Sequence, residues 1–138
     1  MILTTCKGAA DAKNGVIQFT DVKIANGIHN TDSIRTSGIF TCENPGLYLI
    51  SVFIHTQTNN GVYFVNKNTN HITDRLSSVT DYYQTTSVTV LVQLTVNDTI
   101  SVTGRLYVEN GIESCLTILQ IQQRDKCNFI DLFHNYIM

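Results

Sequence analysis

The eight residues LYLISVFI, Leu47 to Ile54, alternate with a period of two, the spacing of a β-strand. Tyr48, Ile50, Val52 and Ile54 fall on one side and Leu47, Leu49 and Phe53 on the other, so both faces are apolar. A strand in a two-layer sandwich needs only one apolar face. The second asks for a cover: a loop or tail of the same chain, or another subunit, which the size of the surplus favours. VTVLVQLTV, Val88 to Val96, divides more cleanly. Val88, Val90, Val92, Leu94 and Val96 go to a core, while Thr89, Leu91, Gln93 and Thr95 go out as a semi-polar rim.

Outward from these two, period-two runs predict strands at Val16 to Val22, Ile39 to Cys42, Gly61 to Val65, Thr99 to Gly104 and Ser114 to Gln122, with the first two settled as Leu47 to His55 and Val88 to Val96. Asn26-Gly27, Asn44-Pro45-Gly46, Asn59-Asn60-Gly61, Asn97-Asp98 and Asn110-Gly111 separate them with turn chemistry. Dense strands and turns without helical stretches point to an antiparallel sandwich or barrel. Composition agrees: 18 Thr, 15 Ile and 12 Val stand against 4 Ala. The closing segment CNFIDLFHNYIM departs from this pattern. Phe129, Leu132, Phe133 and Tyr136 recur at helical spacing over about three turns, and the same residues also read as a short apolar tail.

The length, 138 residues with 43% hydrophobic content, suits one domain with one core. Residues 1–15 read as an amino-terminal extension, 16–122 as the domain and 123–138 as a tail. A net charge of −2 and a pI near 6.0 remove the electrostatic footprint of a nucleic-acid or anionic-membrane binder. No apolar run reaches the roughly 18 residues of a membrane span, so no membrane insertion is expected. The amino terminus also lacks the apolar stretch of a signal peptide.

Chemistry finds little support. His29, His55, His71 and His134 fall on separate segments with no metal-ligand spacing, and the glycines make no phosphate-binding pattern. Cys6, Cys42, Cys115 and Cys127 form no C-x-x-C pair and read as ordinary buried or free thiols. No catalytic residue, metal or cofactor is expected, and the chain reads as a non-enzyme. What remains is recognition by loops rich in Tyr, Asn, Asp and Arg, side chains that supply stacking faces and hydrogen-bonding arms. Asp81, Tyr82 and Tyr83, with Arg105, Tyr107 and Glu109, are the candidate ligand-binding residues. Arg105 is the natural partner of a carboxylated sugar. Asn97-Asp98-Thr99 is a sequon that would accept a glycan if the chain is secreted.

Gly38, Phe40, Thr41, Cys42, Pro45, Gly46, Leu47 and Tyr48, following Phe19 and Asn26, form the pattern G-x-F-T-C-x-x-P-G-L-Y. This segment resembles the opening of the globular-head domain of the complement C1q family. VLVQLTVNDTISV resembles the family's later strand, turn and strand, and GRLYVENGIESCLTILQI its last loop and closing strand. The match runs from about Val16 to Ile121 and is most like the stand-alone heads of bivalve molluscs. It departs from the family in one extra residue between Phe19 and Asn26, in Ile50 where an aromatic is common, in the absence of a collagen stalk and in the tail.

The resemblance implies a ten-stranded jelly roll of the C1q and tumour necrosis factor type, secretion, a homotrimer, and a lectin-like recognition of carbohydrate or microbial surfaces in innate immunity. A trimeric signalling ligand for a protein receptor is the alternative. Leu47, Leu49 and Phe53, with Leu116 and Ile118 of the closing strand, are the expected trimer contact. If strands 47–55 and 114–122 pair antiparallel, as in the family fold, Cys42 and Cys115 lie near opposite ends of roughly 30 Å of strand. That excludes a bond between them.

Overall fold

β-Branched residues and aromatics at alternate positions favour strands, and most of the described residues follow that preference. A computed structural model describes residues 1–7, 10–58, 60–76, 84–109 and 113–123, with backbone alone at 10–14 and 74–76. Ten strands and one short helix follow in order: β1 Ile2–Lys7, β2 Ala10–Val16, β3 Asp21–Asn26, α1 Asp32–Ser37, β4 Phe40–Thr41, β5 Gly46–Thr56, β6 Val62–Lys67, β7 Asn70–Leu76, β8 Gln84–Leu94, β9 Thr99–Val108 and β10 Ser114–Gln123. They form two antiparallel sheets, β3-β1-β10-β5-β8 and β2-β9-β6-β7, with β4 paired to β9. The result is the expected jelly-roll sandwich.

Between the sheets lie Leu3, Ile50, Val52, Ile54, Leu116 and Ile118 from one side and Tyr63, Val65, Ile100, Val102, Leu106 and Val108 from the other, all buried. The F-T-C-x-x-P-G-L-Y pattern packs one corner of this core. Phe40 and Tyr48 meet with ring centres 6.2 Å apart. The Tyr48 hydroxyl donates to Asn44 O at 2.5 Å, and the buried Cys42 thiol lies 3.7 Å from that hydroxyl. Burial, then the neighbouring thiol, pushes Tyr48 well above the usual phenol range, so the hydroxyl stays a donor.

Gly46 of the same pattern is required by space. A Cβ there would stand 2.1 Å from Gln122 O and 2.9 Å from Gln120 Nε2. The amide could swing away, but the carbonyl belongs to β10, which pairs with β5 at this point. Gly46→Ala is expected to destabilise the fold by about 3 kcal/mol and to lower the thermal midpoint by roughly 10 °C. Gly15→Ala, where a Cβ meets nothing within 4 Å, is the silent control. Differential scanning calorimetry of both variants is the check, and equal midpoints would refute the close approach.

On the outward face of the first sheet, three cross-strand rows over β1, β10, β5 and β8 are read directly from the register. Ile2, Leu119, Leu49 and Leu91 form an apolar row, and Thr4, Thr117, Ser51 and Thr89 a row of hydroxyls. Thr4 and Thr117 share a hydrogen bond of 3.0 Å, Ser51 and Thr89 one of 3.2 Å. Cys6, Cys115, Phe53 and Ser87 form the third. No charged side chain occurs in these rows. The edge strand β8 is eleven residues long and also carries no charge or proline, although open edges are ordinarily blunted by such residues.

Several expectations are corrected by this arrangement. Leu116 and Ile118 are buried between the sheets, opposite Val52 and Ile50, so they are unavailable to another subunit; Leu119 is the outward residue of that strand. Cys6 and Cys115 are joined in a disulfide across β1 and β10, with Cα atoms 4.1 Å apart, so they are not ordinary thiols. Cys42 is free and buried, in keeping with the excluded bond to Cys115. Residues 1–15 are not an extension, because β1 and most of β2 lie within them and β1 sits between β3 and β10. Val96, expected in the core, is 54% exposed, because β8 stops at Leu94 and the chain turns there. The tail beyond Gln123, including its helical reading, lies outside the described residues.

Candidate functional site

One end of the sandwich is built by the end of β5, the start of β6, the end of β9 and the start of β10. Thr56, last in β5, is fully buried and holds the neighbouring strand: its hydroxyl donates to Tyr107 O at 2.6 Å and accepts the Thr58 N–H at 2.9 Å. Thr58 Oγ1 in turn accepts the Tyr107 N–H at 2.9 Å. The Glu109 N–H reaches His55 O at 2.8 Å, and the His55 N–H reaches Ser114 Oγ at 2.9 Å. Polar side chains therefore tie the backbone where the regular ladder ends. Gly61 closes the loop onto β9, since a Cβ there would lie 2.8 Å from the Leu106 Cβ.

These bonds hold open a pocket of about 350 Å³ lined by Gln57, Thr58, Tyr107 and Glu109. Tyr107 is 41% exposed, enough to present a ring face. The lining combines an aromatic plane, a hydroxyl, an amide and a carboxylate, which together stack on and hydrogen-bond to a hydroxyl-rich ligand. Arg105, two residues before Tyr107 on the outward side of β9, is exposed beside the pocket without lining it.

Of the residues expected at the site, Tyr107 and Glu109 are thus brought together. Asp81, Tyr82 and Tyr83 lie outside the described residues. The flanking Leu76 and Gln84 pair with Val62 and Thr56, at the pocket's end of the sandwich. Gln57 was not anticipated; its signal was position, the first residue after β5, whose end is tied to Tyr107 and Glu109. Among the described residues, no three His, Cys, Asp or Glu side chains cluster as metal ligands.

The opposite pole is held differently. The Glu43 carboxylate accepts the backbone N–H groups of His29 and Asn30 at 3.0 and 2.8 Å and the His29 ring at 3.1 Å. Partial burial pulls its carboxyl upward, but these donors outweigh that and hold it below the usual range. Asp98 Oδ2 accepts the Thr95 N–H at 2.8 Å, which together with the Asn68 amide keeps that carboxyl low as well. Between them Asn97, at φ +74°, donates its N–H to Cys42 O at 2.9 Å.

Comparison with known proteins agrees with the fold. The family model for the C1q domain matches residues 2–125. The globular domain of a zebrafish complement 1qA protein superposes with a TM-score of 0.70 at 12% identity, covering 89% of this chain and 98% of that one. The Eiger TNF of S. frugiperda gives 0.64 at 10% identity, over 91% and 95%. Murine APRIL at pH 5.0 gives 0.64 at 10% identity, over 87% and 98%. No curated protein matches in sequence. At these identities the superpositions speak for the fold alone.

Proposed function

The chain belongs to the C1q domain family, and from that premise we propose that it is a secreted, homotrimeric recognition protein whose pocket end binds carbohydrate on cell or microbial surfaces, in the manner of a lectin of innate immunity. The observation that carries the ligand reading is the pocket of Gln57, Thr58, Tyr107 and Glu109, held open by bonds that do not involve the ligand. Such preorganisation lowers the ordering cost of binding. In this reading Arg105, exposed beside the pocket, supplies a cation for acidic sugars.

Assembly is supported by the uncharged outward rows of the first sheet, centred on Leu49, Leu119 and Leu91 with Leu47 and Phe53 beside them. Secretion is supported by the Cys6–Cys115 disulfide, a bond that persists in oxidising compartments. No helix among the described residues is long and apolar enough to cross a membrane.

A glycan array probed with the purified chain, followed by calorimetric titration of each hit, is the test. Tyr107→Ala is expected to weaken binding about tenfold, the loss of roughly 1.4 kcal/mol of stacking and packing. Arg105→Ala is expected to weaken acidic glycans selectively. Silence on the array with retained binding to cells would replace the lectin with a ligand for a protein receptor, and unchanged affinity in both variants would move the site elsewhere.

A further inference from the structure

The sequon Asn97-Asp98-Thr99 is the one N-x-S/T triplet in the chain, and the pocket makes no use of it. It sits on the turn between β8 and β9. Asn97 is exposed, takes left-handed backbone geometry at φ +74° and makes no side-chain hydrogen bond among the described residues. The turn does not depend on its amide: the carboxylate of Asp98 and the main chain of Cys42 hold it. Val96, beside it, is 54% exposed, so an apolar residue at the tip has no cover from its own subunit.

We propose that Asn97 carries an N-linked oligosaccharide. Two observations independent of the triplet support this. The Cys6–Cys115 disulfide points to passage through an oxidising secretory compartment, where lipid-pyrophosphate-linked oligosaccharides are the donors. The turn also lies where β8 ends opposite Gly46 and β9 begins opposite Thr41, at the pole away from the pocket, so a bulky substituent leaves Tyr107 and its neighbours clear. In the transfer, a bond forms between Asn97 Nδ2 and the sugar anomeric carbon as that carbon's bond to the lipid pyrophosphate breaks. The amide gives up one proton, and the lipid pyrophosphate leaves.

The proposal rests on secretion and not on sugar binding, so a failed glycan array leaves it standing. The test expresses the full chain behind a secretion leader in a eukaryotic host. Intact mass and the 97-containing peptide are then compared before and after peptide-N-glycosidase. The expected result is loss of one core oligosaccharide with conversion of Asn97 to Asp, absence of that change in Asn97→Gln and in Thr99→Ala, and its retention in Thr99→Ser. Secreted, disulfide-bonded wild type at the bare polypeptide mass would overturn the proposal. So would an oligosaccharide that survives Asn97→Gln.

Discussion

Removing both sulfurs of the Cys6–Cys115 bridge, as Cys6→Ala with Cys115→Ala, is expected to reduce stability by about 4 to 5 kcal/mol, since the bond closes a loop of 109 residues in the unfolded chain. For a domain of this size that corresponds to a fall in thermal midpoint of roughly 15 °C. Denaturant melts should also steepen, because the unfolded chain without the bridge exposes more surface. Wild type in excess reductant should behave as the double variant does. Cys42→Ala gives the contrast: its thiol is buried and bonded to nothing covalently, so its loss should lie nearer to that of a small cavity, about 1 kcal/mol. A double variant that melts with the oxidised wild type would deny the bridge any structural role.

Leu49→Asp is expected to convert the assembled protein to a folded monomer. Leu49 lies in the apolar outward row between Leu119 and Leu91, and it is only half-buried within its own subunit. Its replacement therefore spares the core. Within a trimer it would bury three carboxylates without partners, each costing several kcal/mol. Leu116→Asp, opposite Val52 and three residues before Leu49's partner Leu119, should instead unfold the subunit, because Leu116 packs between the sheets. Light scattering together with circular dichroism separates the two results. A Leu49→Asp protein that stays trimeric would place the contact on another face, and a wild-type monomer at micromolar concentration would remove the trimer from the proposal.

Those two leucines also show what the sequence could and could not say. The alternation of Leu47 to Ile54 and of Val88 to Val96 was legible because each face repeats over several residues, and the structure keeps the first throughout and the second as far as Leu94. In β10 the run CLTILQI is apolar at both parities, so Leu116 and Ile118 could not be told from Leu119 until pairing with β5 showed which side faces the core. β1, with ILTTCK, is too short and too rich in Thr to stand out alone. Its place is set by pairing with β10, more than a hundred residues away. The disulfide depends on that same pairing, and no local pattern announces it. The helix α1, of six residues, is shorter than the window in which helical periodicity can be seen. Of the site, Tyr107 and Glu109 were legible as polar and aromatic residues near a strand end, whereas Gln57 became visible only once β5 and β9 were seen to finish side by side.

The bridge between β1 and β10 has a mechanical consequence. Cys6 and Cys115 lie near the two ends of the described sequence, so a pulling force applied through the flanking residues crosses from one strand to the other at the sulfurs. Everything between them, including the whole second sheet and the pocket, lies inside a covalent loop that bears no tension. A chain pulled by its two ends can then yield, among the described strands, only at Ile2 to Thr5 and at Leu116 to Gln123. Pocket geometry is thereby uncoupled from tension between the two ends. Single-molecule stretching of the oxidised chain should show a short extension, and reduction should release the full contour length.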